Sequence, residues 1–135
     1  MNLTVALDSI KLSKWPGTGQ SLVEDISFSL PQGSTLGIVG ESGSGKSLTT
    51  LAIMGLLPRG LKASGRIDLG GTDLLRLPPA AMRKVRGAKI GMIFQEPMTA
   101  LNPAMRIGNQ IAEGIMAHKA ISYTAARNEA LKLLD

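Results

Sequence analysis

At 135 residues and 44% hydrophobic content, the chain is long enough to bury one core and too short for a second full domain. It contains no cysteine, which excludes a disulfide framework and a thiolate metal site, and its single histidine, His118, cannot build a zinc centre. Fifteen Lys and Arg against ten Asp and Glu give a net charge of +5, yet aromatics are only 3%, too few for a surface that stacks on bases.

Residues 3–12 alternate in part (Leu3, Val5, Leu7, then Ile10 and Leu12), and residues 21–30 alternate better, with Ile26, Phe28 and Leu30 on one face. Both read as strands. The turn chemistry of Trp15-Pro16-Gly17-Thr18-Gly19 between them predicts an antiparallel pair, and Pro31-Gln32-Gly33 predicts another turn. Thr35-Leu36-Gly37-Ile38-Val39 is short, apolar and branched, as a buried parallel strand should be. A helix is expected over Leu48–Leu57, ended by Pro58, and a short strand over Arg66–Leu69 before a Gly70-Gly71 turn. Pro78-Pro79 opens a short helix through Arg86 that Gly87 closes. Lys89–Phe94 is a second candidate for a buried strand. From Pro103 to His118, Ile107, Ile111 and Ile115 recur at helical spacing. Ser122 caps a last helix with apolar positions at Ala126, Ala130, Leu131 and Leu134, and that helix reads as cut mid-element at Asp135. No repeat or low-complexity tract interrupts this order. The basic residues Arg76, Arg83, Lys84, Arg86 and Lys89 lack interleaved aromatics and read as a solvated face. No stretch approaches about 18 continuous apolar residues, and Met1–Asp8 has no signal-like pattern, so the expectation is a cytoplasmic chain that does not itself cross a membrane.

The most informative segment is Gly40-Glu41-Ser42-Gly43-Ser44-Gly45-Lys46-Ser47, a complete G-x-x-x-x-G-K-[ST] loop between the apolar run and the expected helix. Glycines at 40, 43 and 45 permit positive φ, so successive backbone N–H groups can turn inward as a cradle for oxyanions. Lys46 then places its charge on the β- and γ-phosphates, and the Ser47 hydroxyl holds Mg²⁺. A Gly/Ser linker, the bland alternative, would have polar flanks in place of Leu-Gly-Ile-Val and Leu-Ala-Ile-Met.

A second motif, Met92-Ile93-Phe94-Gln95-Glu96-Pro97-Met98-Thr99-Ala100-Leu101-Asn102-Pro103, follows Lys46 by about fifty residues. Together the two motifs resemble the nucleotide-binding subunits of ATP-binding cassette (ABC) transporters, and their wording is similar in particular to the peptide, dipeptide and nickel importer branch. That branch usually has Ser where Ala100 stands. The resemblance runs from the first strand to the start of a helical subdomain. It implies an α/β fold: a P-loop NTPase core (RecA-like) with an antiparallel β subdomain over residues 1–104, then the beginning of the helical subdomain over 105–135.

It further implies that ATP and Mg²⁺ are the cofactors, held by Gly40, Glu41, Ser42, Gly43, Ser44, Gly45, Lys46 and Ser47. Gln95 falls at the Q-loop glutamine, which senses the γ-phosphate as a catalytic-site residue and joins Ser47 at the metal. Trp15, 25 residues before Gly40, falls where the family stacks an aromatic on adenine; the competing reading is a turn aromatic that covers a sheet edge. The implied partners are a second ABC ATPase subunit, two transmembrane permease subunits and, indirectly, a solute-binding protein, with no nucleic acid. The implied location is the cytoplasmic face of the inner membrane, as a peripheral subunit.

Walker B, the signature helix and the switch histidine, which the family uses for hydrolysis, are not found after Gln95. Leu22-Val23-Glu24-Asp25 and Leu69-Gly70-Gly71-Thr72-Asp73 imitate parts of them, yet read as strand and turn. His118 reads as a helix-end residue without a catalytic role. The expected function is therefore ATP binding as the energy-coupling subunit of an importer for peptides or a related small solute, without turnover by this chain alone. The alternatives are an ABC ATPase acting on nucleic acid or the ribosome, and a catalytically silent nucleotide-binding fragment.

Overall fold

Alternating strands bury one face only if they find partners of matching register, and the first two find each other. In the computed structural model, which describes residues 1–12, 21–95 and 101–134, β1 (Leu3–Leu12) pairs antiparallel with β2 (Ser21–Leu30) and sets Val5 opposite Phe28 and Leu7 opposite Ile26. The other edge of β1 pairs antiparallel with β3 (Leu61–Leu69), which turns through Gly70-Gly71 into the two-residue β4 (Thr72–Asp73), giving the order β2-β1-β3-β4. Both turn glycines have positive φ (58° and 88°), as a two-residue type I′ hairpin demands. Val5, Leu7, Ile10 and Ile67 are buried in the core, each worth about 1.5–3 kcal/mol relative to exposure. Ser9 and Ser64 face each other across β1 and β3 with their hydroxyls 2.9 Å apart, so this polar pair satisfies itself.

The chain divides into two compact units, Met1–Met82 and Arg83–Asp135. In the first, the helix after the phosphate loop is α1 (Lys46–Ile53), shorter than the sequence suggests. Pro58 does not end it. Gly55 does, at φ 61°: its N–H donates to the Ala52 carbonyl (3.0 Å) and that of Leu56 to the Leu51 carbonyl (2.8 Å), the paired bonds of a Schellman cap.

A larger correction concerns Thr35–Val39, which forms no strand; Val39 is 93% exposed, and Leu36 and Ile38 are exposed too. Apolar composition supplies the side chains of a buried strand but not the neighbouring strand that must satisfy its N–H and C=O groups. No described residue pairs with it. The Lys89–Phe94 strand is overturned for the same reason: residues 91–94 are irregular and Ile93 is 92% exposed.

Between these segments, α2 (Pro79–Val85) begins at the expected proline and is followed by Gly87 at φ 80°. The second unit is built on α3 (Ile107–Met116) and α4 (Tyr123–Lys132), whose fully buried Ala112, Ala126 and Ala130 let the two backbones approach closely. Ile111, Ile115 and Ile121 pack around them, whereas Ile107, Leu131 and Leu134 are exposed against expectation. Ser122 caps α4 as its side chain accepts from the Ala125 N–H (3.3 Å). No helix among the described residues is long and apolar enough to cross a membrane.

Candidate functional site

The loop Gly40–Ser47 leads into α1 through Gly45, the N-cap residue, which sits in the left-handed region at φ 91°. Gly45 is also the loop's most constrained point, because a Cβ there would lie 2.4 Å from Val23 Cγ2 on β2. Only glycine fits both demands. Gly43 is left-handed as well, at φ 84° but in open space, and the Ser44 N–H donates to the Glu41 carbonyl (3.2 Å) to close the turn before it. No side chain caps the first turn of α1 and no acidic residue lies in it, so its N-terminal amides and the positive end of its dipole have no side-chain acceptor there.

Lys46 folds back over this loop. Its Nζ donates to the carbonyl oxygens of Gly40 (2.6 Å) and Glu41 (2.6 Å) and reaches Ser44 Oγ at 3.3 Å, which uses all three ammonium donors. A full positive charge is thereby held over the mouth of the loop. Ser47 is exposed at the start of the helix. Two depressions meet here, one of about 150 Å³ bounded by Gly43, Gly45, Lys46, Ser47 and Leu48, the other of about 220 Å³ running from Lys46 and Thr49 to the apolar Ile26, Phe28 and Val39. Uncapped amides, a helix N-terminus, a lysine ammonium and a serine hydroxyl form a donor set suited to a polyphosphate with its divalent cation, so the residues present fit such a ligand.

Two residues that the sequence reading missed support this arrangement. Thr49, 1% exposed, donates its hydroxyl to the Gly45 carbonyl (3.0 Å), and Val23 packs against Gly45 where a side chain would begin. A threonine four positions after the N-cap glycine is a signal that sequence offers, since its hydroxyl can reach back one helical turn. Val23 gives no such signal, because its contact depends on tertiary packing. Its segment, Leu22-Val23-Glu24-Asp25, is part of β2, and Leu69–Asp73 is the β3–β4 hairpin, so both imitations of hydrolytic motifs have their structural readings.

Gln95 is exposed at a bend in the second unit. Trp15 and the Glu96–Ala100 part of the second motif lie outside the described residues. Beyond them, Gln110 of α3 takes hold of the motif's end: its side chain accepts from the Asn102 N–H (2.9 Å) and donates to the carbonyls of Asn102 (2.8 Å) and Met105 (3.0 Å).

A family profile described as ABC transporter matches residues 23–135, from the strand that walls Gly45 through both motifs. The chain belongs to the ABC transporter family. Among curated relatives, this ABC chain is 48% identical over 120 residues to the oligopeptide transport ATP-binding protein OppD of Escherichia coli (strain K12), covering 89% of this chain and 36% of that protein. It is also 48% identical over 128 residues to the dipeptide transport ATP-binding protein DppD of Bacillus subtilis (strain 168), covering 93% and 38%. To the OppD of the same Bacillus strain it is 50% identical over 115 residues, covering 84% and 32%. The ABC chain thus spans roughly a third of the length of these relatives.

Proposed function

We propose that this chain binds Mg-ATP and belongs to the energy-coupling subunit of an importer for peptides or a related small solute. The observation that carries the reading is the Gly45-centred loop with Lys46 poised over uncapped helix amides, in a chain similar to oligopeptide and dipeptide transport ATP-binding proteins. The amides of Gly40–Ser47 and the Lys46 ammonium would hold the phosphates, with Ser47 at Mg²⁺. Phosphate oxygens are charged acceptors and compete well with the neutral carbonyls of Gly40 and Glu41 for the same Nζ donors. Gln95 would act at the γ-phosphate and the metal, and Trp15 would stack on adenine. Bound Mg²⁺ would supply charge neutralisation across the β- and γ-oxygens.

In this reading residues 1–104 are the nucleotide-binding core with its antiparallel β subdomain, and 105–135 begin the helical subdomain. The partners are a second ABC ATPase subunit, two permease subunits and, indirectly, a solute-binding protein, at the cytoplasmic face of the membrane. The relatives' names favour this reading over an ATPase acting on nucleic acid. Calorimetry of the purified chain tests it: Mg-ATP should bind, Lys46→Ala should weaken binding at least tenfold, as loss of a charge-assisted contact of about 1.5–3 kcal/mol requires, and steady phosphate release should be absent. Equal affinity in the parent and Lys46→Ala would remove the loop from the site.

A further inference from the structure

Thr49 lies outside the loop motif, yet its hydroxyl is the only side-chain group among the described residues shown bonding to the Gly45 backbone. The Gly45 carbonyl accepts twice from this one residue, from the Thr49 N–H at 2.9 Å and from the hydroxyl at 3.0 Å. Gly45 is the left-handed N-cap from which Lys46 and the first-turn amides project, so whatever fixes the plane of its carbonyl also fixes where they point. Val23 Cγ2 lies 2.4 Å from where a Cβ on Gly45 would be, which leaves Gly45 little room to rotate away. Thr49 is almost wholly shielded from water, so its hydroxyl has no solvent to turn to and the bond to Gly45 stays made.

We propose that Thr49 is a positioning residue for phosphate binding: the hydroxyl, with Val23 packed against the glycine, locks Gly45 so that Lys46 and the amides of the first turn are aimed before the ligand arrives. The proposal rests on the reading of Gly40–Ser47 as the phosphate site. Preorganisation of this kind acts on the polyphosphate and not on the base, which separates it from any effect at Trp15.

The test is calorimetric titration of the purified chain with Mg-ATP and, separately, with inorganic triphosphate, in the parent, Thr49→Val, Thr49→Ser and Lys46→Ala. Thr49→Val keeps the shape and removes the donor; it should weaken both ligands by about five- to tenfold, the scale of one buried hydrogen bond. Thr49→Ser, which keeps the donor, should restore both to within about twofold of the parent on the same scale. Amide hydrogen exchange should quicken at position 49, whose N–H shares the Gly45 carbonyl, in Thr49→Val while the β1–β2 amides keep their protection, a pattern that a general loss of stability would not produce. If Lys46→Ala loses binding while Thr49→Val binds as the parent does, the proposal falls and the site reading stands. If Lys46→Ala binds as the parent does, the site reading falls and takes the proposal with it. Should Thr49→Val fail to fold, Thr49→Ala against Thr49→Ser decides: loss of affinity in Ala alone supports the lock, and equal affinities overturn it.

Discussion

At Gly65 the backbone of β1 runs so close to β3 that a Cβ would sit 2.3 Å from the Ala6 carbonyl oxygen and 2.8 Å from the Asp8 nitrogen. The approach has a cause in register. Leu7 pairs with Gly65 but Ser9 pairs with Ser64, so Asp8 is an extra residue on β1, and the strand bulges against its neighbour. Gly65 also takes φ 112°, which an L side chain rarely adopts. Gly65→Ala should therefore lower stability to urea by about 2–6 kcal/mol, combining roughly 1–3 of backbone strain with 1–3 of overpacking. Gly71→Ala is the matched control, with φ 88° but no atom within 4 Å of the added Cβ. It should cost about 1–3 kcal/mol, from strain alone. Equal losses at the two positions would mean that the closeness of β1 carries no energetic weight.

At the scale of elements, the β3–β4 hairpin shows how charge supports a turn. The Asp68 carboxylate accepts from Arg66 (2.8 Å) and from the Gly71 N–H (2.8 Å), and these two bonds, that of Arg66 first, hold its pKa below the ordinary value of 3.8. A depressed folded value means the ionised carboxylate favours the hairpin above the unfolded pKa, and this support fades as pH falls through the folded value. An NMR titration of the Asp68 carboxyl should show the midpoint rising toward the ordinary carboxylate value in Arg66→Gln; an unchanged midpoint would assign the shift to Gly71 alone. Elements of this local kind were legible in the sequence. The Gly70-Gly71 turn, the alternation of β1 and β2, the Pro79 start of α2 and the Ser122 cap each depend on a few neighbouring residues. The amino half of β3 was not legible, because Lys62-Ala63-Ser64-Gly65 has weak strand propensity and is held by pairing with β1. In the candidate site, the loop motif is visible in the sequence, whereas Val23 could be found only through its tertiary contact with Gly45.

For the molecule as a whole, the segments misread as buried strands explain a property that no single element shows. Val39 in the first unit and Ile93 in the second are almost fully exposed, and each stands beside other exposed apolar side chains, Ile38 and Phe94. Both stretches also present backbone groups that no strand among the described residues pairs. Unpaired apolar backbone of this kind is a template for association between chains, and a net charge of +5 opposes that association only weakly at ordinary ionic strength. The purified chain should therefore sediment faster as its concentration rises. Val39→Lys and Ile93→Lys should each reduce that rise, since a lysine on an open edge resists pairing. Neither substitution removes a buried contact, so thermal unfolding should stay near that of the parent. Sedimentation as a monomer across a wide concentration range would show that these segments are covered in solution, and the lysine variants would then lower stability by uncovering them.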